Sequence, residues 1–412
     1  MSSSLFQGNY TFTSGFEGSW TNKPTTWSND YFNNLLNFQW VLTTSPAGQP
    51  QWKPSNPTNA VEAKYLMLTT DIALLHDPLG SYQTLVHVFA NDLNLFNTVF
   101  AHAWYKLVTR DMGPVSRCLG PLVPPAQSFQ NPLPAPPTTL PDWTAVRASV
   151  RLIMTTVSTA ITPDLVNGSQ PYYGAMFVHL AYACAATFRR TDYLGGCNGA
   201  RIRFSPQKDW SENAGLESVL AVLAPVKQQF DTGLTWADLI VFAAQVAIED
   251  ASGLSLPFCP GRSDALNGDG SVFLTPPASL NYSATIAQID QQQLLSGLSW
   301  NDTVVLQARP RSPTLMVKAG FQGSFSANPS VLSNKYFNIL LSSWASGNWT
   351  AAVNATPSDL NVIEDQNLQP IAMAFASDNQ LFLQSFAAAW TKLVSLDRFE
   401  GPSGNLCHYY TI

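Results

Sequence analysis

Apolar residues recur at helical spacing through most of the chain, and the interruptions are marked by proline, glycine and Ser/Asn/Asp caps. Ser28-Asn29-Asp30 opens a short amphipathic helix with Tyr31, Phe32, Leu35 and Leu36 on one face. Trp40–Leu42 and Pro50–Lys53 flank the turn Ser45-Pro46-Ala47-Gly48 and read as a small β-hairpin over 40–53. Thr70-Asp71 starts another helix. Asn91-Asp92 begins a longer one that ends near Arg110, with Leu95, Val99, Phe100, Ala103, Trp104 and Leu107 as its core face. Pro114–Pro141 is dense in proline, cannot continue a helix, and reads as an extended linker. Helices follow over Asp142–Thr162, Met176–Phe188, Leu216–Phe230 and Thr235–Glu249, and Gln288–Leu298 starts the back half of the module they form. The fold class is therefore mainly α, with one small hairpin.

Two stretches of this pattern repeat. GFEGSWTNKPTTWSNDYFNNLL from Gly15 matches GFQGSFSANPSVLSNKYFNILL from Gly320, and FAHAWYKLV from Phe100 matches FAAAWTKLV from Phe386. Two collinear matches indicate an internal duplication of large period, unlike short solenoid repeats. A long helical stretch, Leu140–Leu306, precedes the second copy, whereas little precedes Gly15 in this sequence. The chain thus reads as the back half of one module (1–125), a proline-rich linker (126–141) and one whole module (142–412).

Composition narrows the function. Charged residues make up 12% and the net charge is −6, with no basic run, which argues against a nucleic-acid binder. Low charge with abundant Asn, Ser and Thr suits either an extracellular surface or one buried in an assembly, so the compartment stays open. No apolar run reaches the roughly 20 residues that span a bilayer. The opening MSSSLFQGNY lacks a basic region followed by an apolar one, so no signal peptide is expected. Cys118, Cys184, Cys197, Cys259 and Cys407 form no CxxC pair. Cys184 reads as a small buried hydrophobe, and no pairing can be assigned. The N-x-S/T sites at Asn9, Asn167, Asn281, Asn301, Asn348 and Asn354 carry little weight in a chain this rich in Asn, Ser and Thr.

Longer motifs are more specific. WTNKPTTW, LTTDIAL, AWYKLVTRDMGPVSR and LGPLVP in the first part, and GGCNGARIRFSPQKDW, TWADLIVFAA, PGRSDA and AAWTKLVSLDRF in the second, resemble the catalase-peroxidases of the plant/bacterial haem peroxidase superfamily. The likeness covers nearly the whole chain. Thr13–Pro125 resembles the last third of that family's haem-bearing N-terminal domain, and Leu140–Phe399 its haem-free C-terminal domain. By this resemblance Trp20 corresponds to the Trp stacked under the haem, Asp71 to the carboxylate that orients the proximal histidine, and Arg117 to the mobile arginine that regulates the catalase reaction. Where active members carry Arg, Trp and His above the haem, the Met176–Phe188 helix has His179, Tyr182 and Ala183. The second copy has Phe325 for Trp20 and, on this reading, Pro370 for Asp71, and its proximal stretch Trp300–Arg309 has no histidine.

Peroxide cleavage needs an imidazole base and a fixed cation beside the breaking bond, and alanine cannot be that base. Read from the residues alone, Trp20 is first a core residue, Asp71 a helix cap and Arg117 a surface or interface group. None of His76, His87, His102, His179 and His408 sits in the family's Gly-Gly-His context. The Gly195–Gly199 run lacks the Lys-Ser/Thr of a phosphate loop and reads as a tight turn. The expectation is a catalase-peroxidase descendant without haem or any other cofactor, serving as a structural or interaction subunit. The alternative is part of a split or truncated haem enzyme acting on hydrogen peroxide. Either way a truncated first module needs a covering protein partner, in a homodimer or a larger complex, at a surface including Trp27, Phe32, Phe100 and Trp104.

Overall fold

A computed structural model describes residues 15–277, 293–321, 328–347, 355–398 and 407. It divides into two compact units, 1–109 and 110–412. Both are helical, as the apolar periodicity requires, with two small antiparallel hairpins.

In the first unit, α1 (Asp30–Asn37) is followed by β1 (Trp40–Thr44) and β2 (Pro50–Pro54), paired in register from Trp40–Pro54 to Thr44–Pro50. Then come α2 (Thr69–Ala73), α3 (Ser81–Asn91) and α4 (Leu93–Thr109). The core is small: Leu35, Met67, Ile72 and Val86 are buried, with Trp20, Tyr31, Phe32, Leu36, Trp40 and Trp52 packed around them. The periodicity correctly identifies α4, but its apolar stripe is no core face. Not one residue of α4 is buried, and Trp104 is 55% and Leu107 65% exposed.

The second unit has a far larger core. The proline-rich segment lies along it: Arg201 donates to the Asn131 carbonyl at 3.0 Å. Helix α5 (Trp143–Met154) starts from Asp142, whose carboxylate accepts from the Thr144 N–H. It stops eight residues short of the expected Thr162, because the chain turns there toward the hairpin β3 (Asp164–Val166) and β4 (Gln170–Tyr172). The buried Tyr173 hydroxyl pins that turn, accepting from the Ser158 N–H and donating to the Ile161 carbonyl at 3.0 Å. Helix α6 (Gly174–Ala185) is apolar on every side and accordingly central, packing most extensively against α8 (Trp236–Ser252). Between them in sequence lies α7 (Leu216–Gln229). Of Gln288–Leu298, expected to start the back half of this module, residues 288–292 lie outside the described residues. The unit ends with α9 (Trp300–Gln307), α10 (Pro313–Lys318), α11 (Lys335–Ser346), α12 (Pro357–Glu364), α13 (Gln369–Ser377) and α14 (Asn379–Val394).

Cys184 is not the free hydrophobe expected from its apolar helix: it is disulfide-bonded to Cys197. The chain doubles back through Gly195 and Gly196, both left-handed. A Cβ at Gly195 would stand 2.1 Å from the Thr187 carbonyl oxygen, so the turn that brings Cys197 under α6 requires glycine. A second disulfide joins Cys259 to Cys407.

Candidate functional site

The best-defined constellation lies in the first unit and is centred on Asp71. This residue is the third position of α2, where its carboxylate accepts from the Leu68 N–H at 2.7 Å and caps the helix. The same oxygen accepts from the Trp20 indole N–H at 2.8 Å, and the other oxygen accepts from the Tyr31 hydroxyl at 2.8 Å. Asp71 is therefore both the helix cap that sequence suggests and the holder of Trp20. Burial, then the adjacent carboxylate, pushes the Tyr31 hydroxyl well above its ordinary range, so it stays a proton donor.

Backbone geometry aims Trp20. Ser19 bridges in parallel to Tyr65, with its N–H on the Lys64 carbonyl at 3.0 Å. Gly18 passes so close that a Cβ would meet the Lys64 oxygen at 2.6 Å. The Asn34 amide holds the Trp20 carbonyl at 2.9 Å. Beside the indole opens a cavity of about 360 Å³ walled by Trp20, Trp27, Tyr31, Phe32, Phe96 and Phe100 among others. Trp27 is aligned by Asn97 at 2.7 Å and stacks on Phe96.

These residues fit one wall of a haem site: a flat indole with a fixed plane, an aromatic lining suited to a flat macrocycle, and a carboxylate with capacity for another donor. Among the described residues no histidine lines the cavity. His76, His87 and His102 are not buried, and His408 lies outside the described residues. Arg117, the third family match, belongs to the second unit, where its guanidinium lies 3.7 Å from the Tyr193 ring centroid and donates to that hydroxyl at 2.9 Å.

In the second unit the corresponding network is not legible by simple alignment. The partner of Tyr336 is Asp359, the third residue of α12, and not a residue near Pro370. Asp359 caps α12 through Thr356 and receives the Tyr336 hydroxyl, as Asp71 caps α2 and receives Tyr31. The stretch before it is shorter in the second copy, which shifts the register between the two matching blocks. The Thr-Pro-Ser-Asp cap at 356–359 is the signal that could have found it. Phe325, the match for Trp20, lies outside the described residues.

Asp359 also has a cation. Arg311 binds it through two nitrogens at 2.6 Å each, with both side chains buried. Burial alone would raise the Asp359 carboxyl; the ion pair with Arg311 outweighs it and holds the group below its usual range. Arg309 stacks on Tyr182 of α6, 3.7 Å from the ring centroid. A plate between those two groups would need about 7 Å, twice the ~3.5 Å contact distance. The second unit therefore does not fit a haem between α6 and the segment after α9. His179, one turn before Tyr182, is pushed down to about 4 by burial and by Arg309 and Arg311, and is neutral at pH 7.

A family described as peroxidase matches residues 153–378. Catalase-peroxidases of Pseudomonas entomophila (35% identical over 96% of this chain and 57% of theirs), Gloeobacter violaceus (34%, 96% and 59%) and a Bradyrhizobium species (36%, 95% and 59%) are similar to it. The chain thus spans less than two thirds of the length of these relatives. Catalase-peroxidases are haem enzymes, and this overturns the expectation of a descendant without haem or any other cofactor. With more than half its length matched, the chain belongs to the peroxidase family, and within it to the catalase-peroxidases.

Proposed function

We propose that this chain provides the proximal wall of a haem peroxidase site acting on hydrogen peroxide, together with a haem-free packing domain. The other wall comes from the portion of its relatives that the chain does not span. The observation that carries this is the Trp20–Asp71–Tyr31 network, whose three donors on one carboxylate fix an indole plane beside an aromatic cavity. Bound haem would supply the iron at which peroxide reacts. The chain's own residues would do the rest of the proximal work: Trp20 would hold the group by its indole face, and Asp71 would orient Trp20 while keeping capacity to accept one further N–H, such as that of an iron-ligating histidine.

On this reading the chain is a back half-module followed by a whole module related to it by duplication, with boundaries at 125 and 141. Recurrent geometry supports it. Asn29 donates to the Phe89 and Ala90 carbonyls as Asn334 does to those of Phe375 and Ala376. Phe100 stacks on Trp104 as Phe386 does on Trp390. The bare face of α4 would then be covered by the portion that completes the first module.

The test is the absorption spectrum of native protein isolated through this chain. A Soret band with peroxide turnover is expected, and Trp20→Phe or Asp71→Asn should lower turnover ~10-fold or more. Native material without a Soret band overturns the proposal. A second reading, a structural or interaction subunit with no turnover of its own, is favoured by the exposure of α4. It predicts the same partner surface, and it fails if either variant changes activity without changing assembly.

A further inference from the structure

The hairpin tip between β3 and β4 reads Asn167-Gly168-Ser169, an N-x-S acceptor for asparagine-linked saccharide. We infer that Asn167 is an N-glycosylation site, and that the chain folds in an oxidising, secretory compartment. Two independent observations meet here. Cys184–Cys197 and Cys259–Cys407 are paired, the first pair inside the core, and such bonds form and persist where thiols are not kept reduced. Asn167 in turn stands on an open, fully presented turn. Asn167 and Gly168 are both left-handed, with φ of 52° and 73°, and the Ser169 N–H closes the turn on the Val166 carbonyl. Asn167, Gly168 and Ser169 are all exposed, and a side chain built on Gly168 would meet nothing within 4 Å. Leu165, two residues back in β3, is 50% exposed and gives the first sugar ring an apolar surface to cover.

The other acceptor among the described residues is exposed as well, but it stands in a helix and not in an open turn. Asn301 sits in the first turn of α9, the Thr303 hydroxyl is donated to the Ser299 carbonyl at 3.1 Å, and the intervening Asp302 is paired with Lys392. Asn9, Asn281, Asn348 and Asn354 lie outside the described residues.

The transfer draws on a lipid-pyrophosphate-linked oligosaccharide and its membrane-bound transferase. The Asn167 amide nitrogen bonds to C1 of the first sugar and gives up one proton. The C1–O bond to phosphate breaks, and the lipid pyrophosphate leaves with the electron pair.

Native protein digested with a glycopeptide amidase in ¹⁸O-labelled water should yield the Asn167 peptide as ¹⁸O-labelled aspartate by mass spectrometry. In a eukaryotic secretory host, Asn167→Gln and Ser169→Ala should each remove one glycan-sized step of gel mobility. The two variants alter the acceptor in different ways, so a fold defect in one does not decide the matter. An unmodified Asn167 peptide from native protein, or a mobility left unchanged by both substitutions, overturns the inference.

Discussion

Helices α4 and α14 are the same sequence idea in two settings. Both carry Phe-x-x-x-Trp-x-x-Leu-Val, and in both the Phe and Trp rings stack, 6.0 Å apart in one and 6.2 Å in the other. In α14, Phe382, Phe386, Trp390 and Leu393 are buried against α9, α13 and α6. In α4, the matching Phe96, Phe100, Trp104 and Leu107 cover nothing comparable, and the helix has no buried residue. An amphipathic stripe thus states that a face seeks cover, and the neighbours decide whether it finds any. The two carboxylates differ in the same way. Asp71 is held by neutral donors beside a cavity, whereas Asp359 is sealed in with Arg311. One arrangement leaves a face for something else, and the other closes it.

The largest test of that contrast is the sealed site. Arg311→Met strands a buried carboxylate and should destabilise the second unit by about 3–5 kcal/mol, read from chemical unfolding. Trp390→Ala should cost a similar ~3–5 kcal/mol by leaving a cavity between α14 and its neighbours.

A pH series separates the two units next. The folded His179 has its pKa lowered to about 4 against an ordinary ~6.5, so the unfolded chain binds more protons between those values. Stability of the second unit is then complete above about pH 6.5 and falls as pH drops toward 4, by about 2 kcal/mol allowing for the part of the residue that reaches solvent. His179→Gln should flatten that slope. Asp359, held below its usual range, adds a loss at more acid pH, as its folded pKa is crossed. In the first unit, Tyr31→Phe removes one hydrogen bond from Asp71 and should cost about 1 kcal/mol. The smallest effect is the most informative: Trp104→Ala should change stability of the isolated chain by no more than ~0.5 kcal/mol. A cost near that of Trp390→Ala would mean that α4 is already covered, and would end the comparison.

Much of the fold is legible in the sequence. The helix starts near Asn29, Asp142 and Thr235, the hairpin around Ser45–Gly48 and the helix from Leu93 follow from local chemistry, because starts and turns use a few residues in a row. Trp20 and Asp71 are legible by motif, but their link runs 51 residues along the chain, and nothing local marks Tyr31 as the third member. Asp359 escapes a motif reading because a length change before it breaks the register that alignment relies on. The bond at Cys184 escapes it too, because an apolar helix looks the same whether its cysteine is free or bonded.

Sequence alone determined the helical class, the element order and the family, since those rest on periodicity and on residues adjacent along the chain. Only the tertiary structure decided which of two near-identical apolar faces is buried, which carboxylate meets an arginine, and which cysteines join. Those outcomes depend on what arrives from distant parts of the chain, and a local pattern carries no record of its neighbours in space.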